Sequence, residues 1–564
     1  MDLTQISHSS PDESLPALDI YITPRYLDGA AHSISVKLTF VDDGTEPRDG
    51  TYPVLRAVTN IASTPALHLV EGTLKVSDEA GDVPLTPEDA SVPQIIAQIH
   101  VAPRKTRGLI TVTYDVNPRQ IDIHTRNGPL MDFRRQTGGG LMGAGYGMLA
   151  VPAVMKRFTV RMHWNLSDAP TGTVGVWTMG AKAELAPPQI QHTYFAVGLL
   201  KSSSEQRKLP SGKKQQCSVY WLTEPPFDAD GLAAEIRKVF FALADFFEDQ
   251  GDDFYVFFRE HPYPGTGGTA LSRSFMYTYS VEEHEEPEPF MVKLKKLAHE
   301  IVHEWATFNE GGPEENWYHE GLAEYYSLVF LHKLGILDDE AMIQEVNGRL
   351  SAYYTSPFVL TSNRDITKLT WASHTTQTLP YRRGFVFAIL ANAIIQQSTE
   401  QELSLDNLVL DLKRQLGSCP VGPDQYIDWI TSKTGRDGRK MHTDMSEARS
   451  LLKLPDQSFP VALRSGKNLQ LTREDQYPFD MGFDESTGVA KQVVQDLRPE
   501  SRAWEAGLRE GDRLRKWPVL PHTEYDSEVT LEVLRDSLEK PLRITYWPRG
   551  RETVESWQYS VCVD

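Results

Sequence analysis

Cysteine is scarce in this chain: Cys217, Cys419 and Cys562 are the only three in 564 residues, far apart and without the spacing of a metal or disulfide motif. That excludes a disulfide-stapled scaffold. It fits free thiols in a reducing compartment, so a cytoplasmic protein is expected. Long apolar runs are missing too, and no uninterrupted stretch reaches the roughly 18 residues of a membrane-spanning helix. The opening stretch, MDLTQISHSSPDESLPALDI, is acidic and lacks the basic start and apolar centre of a secretory leader. Positive charge is in deficit, with 57 Lys and Arg against 77 Asp and Glu, a formal net charge of -20. Such a surface repels phosphate backbones and anionic headgroups, so neither nucleic acid nor a membrane surface is an expected partner.

What remains is ordinary globular composition, 40% apolar and 24% charged. A chain this long exceeds one hydrophobic core, and roughly two to four domains are expected. From about residue 18 to 200, short alternating runs such as HSISVKLTF and RGLITVTYDV predict a sandwich-like β domain. Within it, TGGGLMGAGYGMLAVP lacks the Lys and Ser/Thr of a phosphate loop and the strand-then-helix setting of a dinucleotide fingerprint, so it reads as a flexible or tightly turned loop. KSSSEQRKLPSGKKQQ, around 201–216, is polar and basic and reads as an exposed loop or linker. Beyond it, ADGLAAEIRKVFFALADFFED has helical spacing and DDFYVFFRE reads as a strand. PYPGTGGTALSRSFMYTYS is expected to turn into an edge strand, and VEEHEEPEPF to be a solvated acidic loop. From 290 to about 460 the pattern is mainly helical, with Gly335, Gly417 and Gly435 placed where helices can stop. The last hundred residues return to short strands and form a separate small module.

The chemistry concentrates in LAHEIVHEW. His299 and His303 are four residues apart on a segment of helix formers, hence on one helix face, where both imidazoles can reach a zinc ion at about 2.0 to 2.1 Å. Glu300 lies beside them and can take a proton from a water at the metal. Catalytic zinc sites usually take a third protein ligand and leave one position open. NWYHEGLAEYYSLVFLHKLG supplies candidates on a second helical stretch, with Glu320 and Glu324 on one face. Glu320 is the preferred ligand. Glu324, one turn later, is then placed to accept the second ring N–H of a ligand histidine. His319 lies on another face and reads as structural or solvent-facing.

Three stretches carry a family resemblance. HEIVHEW is similar to an HExxHxW motif, NWYHEGLAEYY to W-x-x-E-G-x-x-x-Y-Y, and LPYRRGFVFAIL to a helix start of the form Tyr-x-x-Gly. Together they resemble the gluzincin metallopeptidases, in particular the M61 family of glycyl aminopeptidases, kin to the M1 aminopeptidases and leukotriene A4 hydrolase. The resemblance implies a multidomain α+β protein: an N-terminal β-sandwich-like domain (1–200), a thermolysin-like catalytic domain with a helical lobe (217–465) and a C-terminal PDZ-like β domain (470–564). It implies zinc as cofactor, Glu320 as third ligand beside His299 and His303, and Tyr381 as the phenol that hydrogen-bonds a developing oxyanion. Arg382 and Arg383, next to Tyr381, become candidates to meet a substrate carboxylate. Gly267 and Gly268 match a strand that presents backbone to an extended substrate. Ala270 departs from that strand's pattern, standing where the family carries the glutamate that grips a free amine. YPFDMGF and PESRAWEAGLREGDRL resemble the carboxylate-binding loop of a PDZ domain and the stretch after it, with Asp480 where that loop has glycine. A peptide ligand of this module is therefore a further candidate partner.

Three functions follow as expectations. The first is a zinc metallopeptidase, an aminopeptidase by resemblance, with a peptide substrate. The second is a zinc enzyme acting on a non-peptide small molecule such as an epoxide or a biosynthetic intermediate, which the loss of the acid at Ala270 favours. The third is a non-catalytic binding protein that works through its PDZ-like and β domains.

Overall fold

The computed structural model describes residues 15–562 other than 43–45, 63, 93, 124, 126, 127, 129, 264, 265, 282–286, 371, 516–523 and 536–539. The start of the chain and the centre of the acidic VEEHEEPEPF loop thus lie outside the described residues. The protein is mixed α and β and multidomain, and it divides into two compact units, residues 1–241 with 249–294, and residues 242–248 with 295–564.

The first unit is built from sheets. Its largest has seven strands, at whose centre Ala17–Leu27 pairs with Ala30–Val41 antiparallel and with Phe158–Trp164 in parallel. Period-two alternation buries Leu18, Ile20 and Ile22 from one strand and Ile34, Val36, Leu38 and Phe40 from the next. These join Val54, Leu55, Val112 and Phe195 in one core. The strand pattern read from sequence holds here because each strand has one wet and one dry face.

Two expectations fail in this unit. The glycine-rich segment is not a loose loop: Leu141–Ala144 is a buried strand between Phe133–Arg135 and Tyr194–Gly198, followed by a single 3-10 turn. Its glycines are there for close packing, since a Cβ at Gly143 would lie 2.1 Å from the Asp132 carbonyl oxygen. KSSSEQRKLPSGKKQQ is not a linker either. Lys201–Lys208 and Lys214–Trp221 form a hairpin at the edge of a five-stranded sheet that continues through Phe254–His261 and Ser274–Ser280 to Gly267–Leu271. An edge strand wetted on both faces has no need of apolar residues, and its lysines discourage further pairing. The stretch expected to turn into one edge strand forms two, Gly267–Leu271 at the edge and a buried Ser274–Ser280 inside the sheet; Gly268 leaves room for the Phe275 ring, which a Cβ would meet at 1.9 Å.

The second unit is helical as far as residue 447, its main members being Asn316–Lys333, Asp339–Tyr354 and His374–Ser398. Gly335 (φ +79°) and Gly435 (φ +67°) follow helices in the left-handed conformation that suits glycine, as the stop positions implied. The helix at LPYRRGF starts earlier than its motif suggested. Ser373 caps it, exchanging hydrogen bonds of 3.1 Å with Thr376, so Tyr381 lies two turns inside and Pro380 is accommodated within the helix. The C-terminal segment has its own core of Phe479, Met481, Phe483, Val494, Leu531 and neighbours. Its strands form a three-stranded sheet around Val529–Leu534 and a separate pair, Leu469–Arg473 with Trp557–Val561. Asn347 ties this pair to the helix Asp339–Tyr354 by donating to, and accepting from, the Tyr559 backbone at 2.8 Å.

Candidate metal centre

The helix Phe290–Val302 carries the HExxH motif. Leu294, Leu297, Ala298, Ile301 and Val302 are buried and fix its rotation about its axis. It ends one residue before His303, where Trp305 and Ala306 donate to the Val302 carbonyl and tighten the turn. Trp305 anchors that turn, stacked on Phe247 with ring centroids 5.3 Å apart. His303 therefore lies just beyond the helix, yet its Nε2 remains 3.2 Å from His299 Nε2.

The third donor arrives on Asn316–Lys333. Glu320 Oε2 lies 3.1 Å from His299 Nε2 and 3.4 Å from His303 Nε2. These three residues form the one grouping of three or more metal-capable side chains among the described residues. A tetrahedral zinc with bonds near 2.0 to 2.1 Å separates its ligand atoms by about 3.3 Å, so the triangle has the size the ion requires. Its electrostatics agree. Burial disfavours a charged His299, but Glu320 and Glu324 outweigh it and push its pKa up to about 10. Burial opposes ionisation of Glu320 as well, yet the two histidines hold it well below the usual carboxylate range. The pocket thus favours a positive charge between these atoms, and a divalent cation supplies one while displacing the proton.

Two glycines bring the helices together. A Cβ on Gly384 would lie 2.0 Å from the Trp317 carbonyl oxygen, and one on Gly321 would lie 2.3 Å from the Gly384 carbonyl carbon. Glycine facing glycine lets Asn316–Lys333 and His374–Ser398 touch backbone to backbone, with Glu320 and Tyr381 one and three residues from the contact. Tyr381 stacks over His299 at 5.6 Å with an interplanar angle of 14°. Burial and the charges of Glu320 and Glu300 raise its pKa well above that of an ordinary phenol, so it stays protonated. Burial likewise raises Glu300, against the pull of His303 and His299, and a cation at the triangle would pull it back down.

Glu324 has one oxygen 3.3 Å from His299 Nδ1. Its other oxygen accepts from Arg349 Nε and, at 2.8 Å, from Arg382 Nη1. Burial would favour the neutral acid, but Arg349 and Arg382 hold it ionised. Arg382, read from sequence as a substrate-binding side chain, is thus placed on Glu324 instead. Arg383 is buried as well, donating to Asn363 and to the Val359 and Thr361 carbonyls. Arginines beside a helical tyrosine look like surface residues only when the helix is taken to start there. His319 is half-buried, its Nδ1 3.1 Å from Thr307 Oγ1, and burial with the nearby His303 pushes its pKa down to about 4. Gly267 and Gly268 belong to the first unit.

Sequence reasoning missed Arg349 and the roles of Gly321 and Gly384. The available signals were the Glu345–Arg349 spacing, a 2.7 Å ion pair one turn apart, and two glycines inside otherwise regular helices. In the C-terminal loop, Asp480 accepts from the Gly482 amide at 2.7 Å and pairs with Arg498.

No protein-family model matches the sequence, and no curated protein matches it. Solved structures do match. The crystal structure of the aminopeptidase N family protein from Idiomarina loihiensis aligns with a TM-score of 0.62 at 16% identity, covering 96% of this chain and 98% of that one. The M1 zinc metallopeptidase from Deinococcus radiodurans aligns over 78% of this chain and 95% of its own, with a TM-score of 0.46 at 16% identity. Yeast LTA4 hydrolase aligns over 78% and 68%, with a TM-score of 0.44 at 11% identity. The first likeness is one of fold along nearly the whole of both chains. The protein is therefore similar in architecture to an aminopeptidase N family protein and carries a three-donor cluster sized for a tetrahedral metal.

Proposed function

We propose that this protein is a zinc-dependent peptidase of the gluzincin type that acts as an aminopeptidase, with zinc held by His299, His303 and Glu320. The observation that carries this reading is the donor triangle, whose edges of 3.1, 3.2 and 3.4 Å suit one tetrahedral ion. Bound there, zinc supplies Lewis acidity to a substrate carbonyl and to water. The chain's own residues do the rest. Glu300 accepts the proton of the attacking water and returns it to the leaving amine. The Tyr381 hydroxyl, kept protonated, donates to the carbonyl oxygen as negative charge grows on it. Glu324 keeps the Nδ1 proton on His299, so that Nε2 offers its lone pair to the metal. In this reading residues 1–200, 217–465 and 470–564 serve as β domain, catalytic domain and PDZ-like module, and the motif stretches favour the M61 branch.

A second reading keeps zinc but replaces the peptide by a small non-peptide molecule. Ala270 favours it, because a methyl group on the Gly267–Leu271 strand cannot anchor a free amine. Both readings meet the same test. Glu300→Gln should retain zinc by elemental analysis while lowering turnover by about 10²- to 10⁴-fold, the range of a lost general base. Chelator-sensitive release from free-amine aminoacyl reporters, and not from N-blocked ones, supports the aminopeptidase. Bound zinc with cleavage of neither moves the assignment to the non-peptide enzyme, and full activity in Glu300→Gln removes the mechanism altogether.

A further inference from the structure

Behind the metal-holding network, also within the second unit, lies a small cavity walled by Arg382, Arg549 and the hydroxyl-bearing Thr355, Ser356, Thr375 and Thr378. It has room for about one water-sized occupant. Its charge is unusual. Arg549 is 2% exposed and makes no ion pair among the described residues. Its Nε donates to the Tyr525 carbonyl and its Nη1 to Thr355 Oγ1, both at 3.3 Å, while Nη2 is buried with no hydrogen-bond partner. Arg382 gives Nη1 to Glu324, and its Nε is likewise buried and unpartnered. Two guanidinium groups with unused N–H donors therefore border one cavity, with a single carboxylate, Glu324, paired to one of them. Two further carboxyls are near: Glu485 accepts from Thr375 Oγ1 at 3.3 Å, and the exposed Asp526 acts on Arg549 through its charge.

We propose that this cavity is a binding site for a small monovalent anion of the halide class, with chloride the physiological candidate. A buried guanidinium whose charge is met only by an exposed carboxylate, Asp526, is costly, and a trapped water returns only part of that because it carries no charge. A monatomic anion supplies the missing acceptor and a charge inside the cavity. The size of the space excludes phosphate, sulfate and peptide carboxylates. The occupant would also join two parts of the unit. Arg549 and Phe479 belong to the C-terminal module, and the Phe479 amide donates to the Thr355 carbonyl at 2.9 Å. Arg382 leads through Glu324 to His299. The proposal stands on the cavity and its donors, independently of whether zinc is bound.

The experiment uses the full-length protein and sodium chloride against sodium gluconate, whose anion is too large for the cavity, at matched ionic strength. Raising chloride from about 10 to about 300 mM should lift the thermal unfolding midpoint by about 2–4 °C, the concentration dependence expected of a ligand that binds only the folded state. Ala352→Leu, which fills the cavity from its apolar side, should flatten that shift to below about 1 °C. Ser356→Ala removes the lining hydroxyl that accepts from the Phe358 amide and keeps its own proton for the cavity, and it should reduce the shift even if Ala352→Leu fails to fold. Equal midpoints in chloride and gluconate for the unaltered protein would overturn the proposal in favour of a trapped water. So would a full chloride shift in Ala352→Leu or, where that variant does not fold, in Ser356→Ala.

Discussion

Asp132 in the first unit and Glu324 in the second are both buried carboxylates ringed by arginines, and they differ in how their oxygens are used. Asp132 is 1% exposed, and both its oxygens face guanidinium groups: Arg119 at 2.9 Å, Arg134 at 3.1 Å and Arg259 at 3.2 Å. Burial pushes its pKa up, but the three arginines prevail and it stays ionised. Glu324 offers only one oxygen to Arg349 and Arg382 and turns the other to His299. The first arrangement is closed and can only hold structure. The second leaves half of the carboxylate facing His299 Nδ1 at 3.3 Å, so the arginines that keep Glu324 ionised also set a negative charge beside a proposed metal ligand. A buried carboxylate ringed by arginines is therefore no sign of a functional site until its remaining oxygen is followed.

Three substitutions sharpen this contrast. The largest effect is expected from Asp132→Ala, which strands three arginines and should cost about 3–5 kcal/mol in chemical denaturation, without changing zinc content per folded molecule. The pH dependence follows from the same group. Because folding depresses its pKa, the contribution of Asp132 is complete above the ordinary carboxylate range and is lost as pH falls through the lower folded-state value. In the unaltered protein, part of the acid-induced loss of stability should therefore disappear with Asp132→Ala.

Glu324→Gln should do the opposite, lowering zinc affinity about 10- to 100-fold in competition with a chelator while moving the unfolding midpoint less than Asp132→Ala does. If zinc affinity is unchanged, Glu324 is as purely structural as Asp132. Ser373→Ala should have the smallest effect, about 1 kcal/mol from the lost cap of the helix that carries Tyr381. Its zinc affinity should match the unaltered protein, and a fall would mean that scaffold stability alone moves the metal site.

Much of the site could be read before any fold was known. Spacing of four put His299 and His303 on one side of a helical segment, although the helix ends at Val302 and the turn anchored by Trp305 holds His303 in place. Short-range spacing also made the stop glycines and the alternating strands legible. It failed where composition misleads: glycines that permit close packing look like glycines that permit turns, and an edge strand wetted on both faces looks like a loop. The sequence by itself determined the two histidines, the acid beside them and the alternation that sorts the sheets, since each depends on residue type and short-range periodicity, and it narrowed the third donor to Glu320 or Glu324. Tertiary structure alone decided that Gly321 meets Gly384, that Arg382 turns to Glu324, and that Asp480 pairs with Arg498. Those are contacts between segments distant in sequence, where the partner's position is set by packing and by the cost of leaving a buried charge or N–H unpaired.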